Sequence, residues 1–194
     1  MGGYPGVSSA YNAGYYSAAL AGEKYRTYGI EAYMWLLENA TSCPFGTWEG
    51  IGQISTETVL KGSVASAGSG SCQHMWGQSV NTKVVIDSFL AEKADGTVIV
   101  GRGLPLSFNA DGETAEISNY LCRGGKRIGY RMTTKNGTVT LEFTGDILDG
   151  EMSIELPVLA GNIAAVSGDL GFDSDAGKVT VPAGVREVSI RLLN

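Results

Sequence analysis

One change of rhythm constrains the fold more than any other feature of this 194-residue chain. As far as Lys93 the apolar residues recur at three- and four-residue steps. Beyond Asp95-Gly96 they alternate with polar ones. The runs TVIVG, TAEISNY, RIGYRMTTK, TVTLEFTG, MSIELPV, KVTVP and EVSIRLL are β-branched, short, and separated by Gly, Asp and Asn. Asn136-Gly137, between Ile128–Thr134 and Val139–Phe143, is the pair that a two-residue hairpin turn demands. Strands at this spacing without intervening helices predict an antiparallel β-sandwich, with Pro157 and Pro182 at strand ends or edges. The fold class expected is therefore α+β, a helical hairpin over residues 1–95 followed by a sandwich over 96–194.

Two helices are expected in the first part. Tyr25, Tyr28, Ala32, Trp35 and Leu36 keep helical spacing, and Tyr11, Tyr15, Ala18, Ala19 and Gly22 extend the stripe backwards, so one helix is predicted over residues 8–39. Ala18, Ala19, Ala21 and Gly22 would let another helix approach closely. Gly29 costs about 1 kcal/mol relative to Ala, which makes it the expected point of a kink. The second helix is predicted over residues 72–93. Its apolar residues Trp76, Val80, Val84, Ile86, Phe89 and Leu90 lie on more than one side, which predicts heavy burial. Between the helices, Lys61 to Ser71 has the composition of a flexible surface segment, a loop or a rim.

The stretch Ser42 to Gly52, SCPFGTWEGIG, is broken by Gly and Pro and is expected to be a loop. It sets Phe45 and Trp48 beside the carboxylate of Glu49. Aromatic faces suit sugar CH groups, and a carboxylate handles protons or hydroxyls. The competing role is an ordinary connection whose Trp48 plugs the core. A second group opens the next helix: Gln73, His74, Trp76 and Gln78. His74 is the one histidine of the chain and has no second ligand at metal spacing, so neither a metal nor another cofactor is called for. It fits a hydroxyl-binding group or a hydrogen-bonded core histidine. Asp169, Asp173 and Asp175 lack the ligand spacing of a calcium loop and are expected in a solvated turn.

A formal net charge of −6 opposes a nucleic-acid partner. No run approaches the roughly 20 apolar residues of a membrane span, so no membrane partner is expected. MGGYPG lacks the basic and apolar regions of a signal peptide. Cys43, Cys72 and Cys122 are scattered and odd in number, which indicates no disulfide framework.

The order of elements and several motifs resemble the C-terminal end of six-hairpin, (α/α)6-barrel glycoside hydrolases, the glucoamylase-like group that includes related bacterial enzymes. PFGTWEG (residues 44–50) resembles the loop before the last barrel helix, CQHMWGQS (72–79) the opening of that helix, and AEKADGTVIVGRGLP (91–105) the passage into an appended sandwich. The resemblance implies that Glu49 is the carboxylate that activates water and that Trp48 lies beside the sugar subsite. Phe45, His74, Trp76 and Gln78 are expected as further carbohydrate contacts, and the resemblance makes the helical hairpin the remnant of a barrel.

Such a barrel needs twelve helices, roughly 300 or more residues. Its chemistry needs a second carboxylate about 5–9.5 Å from the first. Glu23 and Glu31 fall on the first helix, where packing is the expected role, and Asp87 and Glu92 lie deep in or late on the second, away from its N-terminal mouth. The expectation is a fragment, inactive as this chain, that self-associates through its helical face. The alternative is a non-catalytic carbohydrate-binding or structural module. An exposed apolar face on the helices would favour the fragment.

Overall fold

The computed structural model describes residues 7–43, 46–51 and 68–193. The chain is mixed α+β and divides into two compact units, Met1–Ile86 and Asp87–Asn194. Three α-helices are present among the described residues: α1 (Tyr11–Ala21), α2 (Arg26–Ala40) and α3 (Met75–Phe89). None is long and apolar enough to cross a membrane. The last turn of α3 belongs to the second unit, so the division falls inside the helix rather than at Asp95-Gly96. Leu90, next along the chain, is already part of the second unit's core.

The single helix expected over 8–39 is two. Gly22 closes α1 by donating its N–H to Ala18 O and adopts an extended conformation (φ −94°, ψ 127°). A 3-10 turn, Glu23–Tyr25, then leads into α2. The kink is at Gly22, not Gly29. Gly29 stays helical, and a Cβ there would lie 2.9 Å from Ala19 Cβ. The small residues on α1 therefore do admit a close neighbour, which is α2. Ala13 and Leu20 of α1 join Ile30 and Tyr33 of α2 and Val84 of α3 in one buried cluster. Leu36, Ala40 and Ile51 form another, lined by Val7, Tyr16 and Trp35.

The largest departure lies between the helices. Gly46–Ile51 is a strand, β3, rather than a loop. It pairs antiparallel with β1 (Val7–Ser8), β2 (Thr41–Cys43) and β4 (Gly68–Cys72). Gly68 to Ser71, expected to be flexible, forms most of β4. The remainder of that predicted flexible run, 61–67, lies outside the described residues, as does Phe45. Gln73 has a left-handed backbone (φ 59°), which turns the chain out of β4, so α3 starts at Met75 rather than residue 72. It ends at Phe89, short of the predicted 93, because Leu90–Glu92 leave the helix to form β5.

In the second unit β5 pairs with β6 (Val98–Val100) around the Asp95-Gly96 turn. There Asp95 Oδ1 accepts the Thr97 N–H at 2.9 Å and Gly96 takes φ 91°. One five-stranded sheet runs β12-β13-β10-β6-β5, with β10 (Met152–Ile154), β12 (Phe172–Asp173) and β13 (Lys178–Val181). The other runs β11-β14-β9-β8-β7, with β7 (Thr114–Leu121), β8 (Arg127–Lys135), β9 (Thr138–Gly145), β11 (Ile163–Val166) and β14 (Glu187–Leu192). The first sheet is not wholly antiparallel: Met152–Ile154 runs parallel to Val98–Val100. Asn136 (φ 50°) and Gly137 (φ 70°) make the expected hairpin turn, both left-handed. Val98, Ile154 and Val179 from one sheet and Tyr130, Leu141 and Ile190 from the other share a single apolar core. Pro157 and Pro182 follow β10 and β13, outside the ladders.

Two substitutions test this packing. Leu141→Ala removes a side chain with no exposed surface and is expected to cost about 2–5 kcal/mol of unfolding free energy, read from urea titration. Gly29→Ala is expected to lower the melting temperature although Ala is the better helix former by about 1 kcal/mol. A raised melting temperature would show that α1 and α2 do not approach at Ala19.

Candidate functional site

The carbonyls of β3 anchor the start of two helices. Ser9 N–H and Ser8 Oγ–H donate to Glu49 O at 3.1 and 3.0 Å, and Ser9 Oγ–H donates to Trp48 O at 2.5 Å. Ser8 Oγ also accepts the Ala10 and Tyr11 N–H groups, while Asn12 Oδ1 accepts the Ser8 N–H. This reciprocal arrangement satisfies orphan donors at the start of α1. At α3, His74 N–H donates to Thr47 O at 2.9 Å. The His74 ring caps the helix itself, its Nδ1 accepting the Gly77 N–H at 3.2 Å.

Gly77 explains how the first turn of α3 fits. A Cβ there would collide with Ser9 Oγ and lie 3.1 Å from Thr47 Oγ1. Asn81, buried one turn on, donates to Ser9 O at 3.0 Å and Gly77 O at 2.6 Å. A glycine early in a helix is an energetic cost, and here it is the condition for close backbone approach.

Glu49 projects from this frame with its carboxylate at the surface. Oε2 accepts the Ser71 N–H at 3.1 Å and the Ser71 Oγ–H at 3.2 Å. The Ser71 N–H first, then the hydroxyl, hold the Glu49 carboxyl below the ordinary carboxylate range, with a smaller pull from His74. Such a group is ionised at neutral pH and acts as a base or an acceptor, not as a proton donor. No second carboxylate is among the groups that act on it within the described residues.

The remaining sequence candidates are placed unevenly. Trp48 is half-buried, and its Nε1 is buried without a partner among the described residues. Its ring nitrogen is therefore turned away from solvent. Gln78 donates its N–H to His74 O at 2.9 Å and is half-buried. Trp76, predicted to be buried, is 50% exposed and takes the edge of Tyr11 at 4.9 Å between ring centroids. Its ring lies 6.2 Å from His74. Ile86 is likewise exposed, so α3 is not covered on all sides. The structure brings together Glu49 and Ser71, and separately sets Trp76 against Tyr11 and near His74.

Ser71, Ser9, Gly77 and Asn81 were not marked by sequence reasoning. Only Gly77 carried a signal, as an ill-favoured residue at the start of a strongly helical run. Neither protein-family models, nor characterised proteins, nor solved structures give a match to the chain.

The depressed Glu49 carboxyl makes a pH prediction. Its hydrogen bonds stabilise the fold fully above the unfolded-state carboxylate value and are lost as pH falls through the lower folded value. Glu49→Gln should therefore flatten part of the acid-side loss of stability, measured as urea midpoints from neutral pH downward. A Glu49→Gln profile parallel to that of the unmodified chain would show that the carboxylate is not held in the folded state.

Proposed function

We propose that this chain is the C-terminal part of a carbohydrate-active hydrolase of the six-hairpin (α/α)6-barrel class. Glu49 is the carboxylate that activates water in the complete enzyme, with His74 and Trp76 at the rim of the sugar site. The second unit is then an appended β-sandwich, and α1, α2 and α3 are the last helices of a barrel. One observation carries this reading: large apolar residues stand exposed on all three helices and the turn between the first two. They are Tyr11, Tyr15, Tyr25, Tyr28, Met75, Trp76 and Ile86. Exposed apolar residues gathered on these elements support a missing partner, which this reading takes to be further barrel helices. As an isolated chain the protein is expected to self-associate through the same residues, giving more than a monomer in sedimentation.

A second reading is supported by the Tyr11–Trp76 pair. Two exposed rings in edge contact beside a hydrogen-bonding histidine suit a sugar ring without any chemistry, which is a carbohydrate-binding module. Hydrolysis assays separate the two. The 194-residue chain should not cleave aryl glycosides above background under either reading. In a longer polypeptide that supplies the other helices, Glu49→Gln should reduce turnover by at least the 10²–10⁴-fold typical of general acid–base assistance while sparing binding. Full turnover by that Glu49→Gln variant would contradict the hydrolase assignment and leave the binding module.

A further inference from the structure

We propose that Ser71 is a positioning residue for Glu49: its N–H and its hydroxyl both bind Oε2, which leaves Oε1 as the oxygen offered for proton transfer. The bonds measure 3.1 and 3.2 Å, and nothing among the described residues bonds Oε1. The role of Oε1 rests on the hydrolase reading, whereas the hold on Oε2 does not.

The strand register explains how one residue supplies both donors. Trp48 pairs with Cys72 but Gly50 pairs with Ser69, so β4 carries one residue more than β3 over this interval. A bulge of this kind breaks the regular ladder and re-aims the residues within it. Ser71 falls inside it, and its N–H is directed to the Glu49 side chain instead of to a backbone carbonyl of β3. Two donors joined through one Cα and converging on one oxygen hold Oε2 in place more firmly than a lone hydroxyl would. A base held in that way meets the geometric demand of proton transfer without further ordering.

Among the described residues, the groups that face Glu49 are few. From β4 they are the two Ser71 donors, neither of which titrates. At the start of α3 His74 is the charged or chargeable group. Ser8 and Ser9 reach Glu49 at its backbone carbonyl and not at its carboxylate. Removing the Ser71 hydroxyl therefore alters the carboxylate through one bond, and His74 is the chargeable group among the described residues to control for.

The test is a carbon-detected NMR titration of the Glu49 carboxyl in the full 194-residue chain. In the unmodified chain the carboxyl titrates below the ordinary range and the Ser71 amide proton shifts with the same midpoint. S71A moves the midpoint upward, S71T restores it, and H74Q moves it less than S71A does. Equal midpoints for S71A and S71T, or a Ser71 amide that ignores the Glu49 titration, overturns the proposal. The amide readout needs no variant, so it decides the matter even if S71A fails to fold. In the longer polypeptide S71A should lower kcat about 10-fold or more, the worth of a hydrogen bond to a charged group. It should also move the acid limb of the kcat/KM profile upward, and S71T should spare both. If the NMR result holds but Glu49→Gln leaves turnover intact, the hold on Oε2 stands and the hydrolase reading falls.

Discussion

Three successive carbonyls of β3, those of Thr47, Trp48 and Glu49, hold the start of α1 and the start of α3 against one strand. Everything in the candidate site follows from that. Backbone acceptors in the middle of a paired strand have little freedom, so the helix termini they hold are placed to within a hydrogen bond's tolerance. Ser9 fills both its donors in this way, and only a glycine at position 77 leaves room for it. Ser71 reaches Glu49 because β4 is bound to the same strand, and His74 is held nearby by the bond of its N–H to Thr47 O. The carboxylate is thus the exposed tip of a small, densely bonded polar frame.

The polar frame sits beside two small apolar clusters, one around Leu20, Tyr33 and Val84, the other around Leu36, Ala40 and Ile51. These clusters bury much less than the shared core of the two sheets in the second unit. The helices leave tyrosines and a tryptophan in solvent, surface that water does not favour. A unit with modest cores and exposed aromatic surface gains from added partners, which is why the hydrolase reading assigns it a place among further helices.

Legibility in the sequence followed the strength of periodicity. The alternation of RIGYRMTTK and TVTLEFTG, with Asn136-Gly137 between them, specified β8, β9 and their turn directly. Leu90–Glu92 was absorbed into the preceding helix because SFLAE continues its apolar spacing. Ile163–Val166 is half alanine and Phe172–Asp173 has two residues, too little pattern to register. β3 was hidden for a different reason: Gly46 and Gly50 read as loop residues, and the strand is stabilised by pairing with β1, β2 and β4 rather than by propensity. In the site, Glu49 and His74 stood out as the lone carboxylate and lone histidine near aromatics. Ser71 did not, since a serine in a Gly/Ser run has no marker until the register of β4 is known.

Amide hydrogen exchange over residues 46–51 tests the central claim most directly. If β3 is the paired strand that anchors both helix termini, the amides that donate into its ladders exchange slowly, with protection like that of the neighbouring helices. Rapid exchange throughout this stretch, with protection confined to α1, α2 and α3, would return Glu49 to a loop and remove the frame on which the site depends.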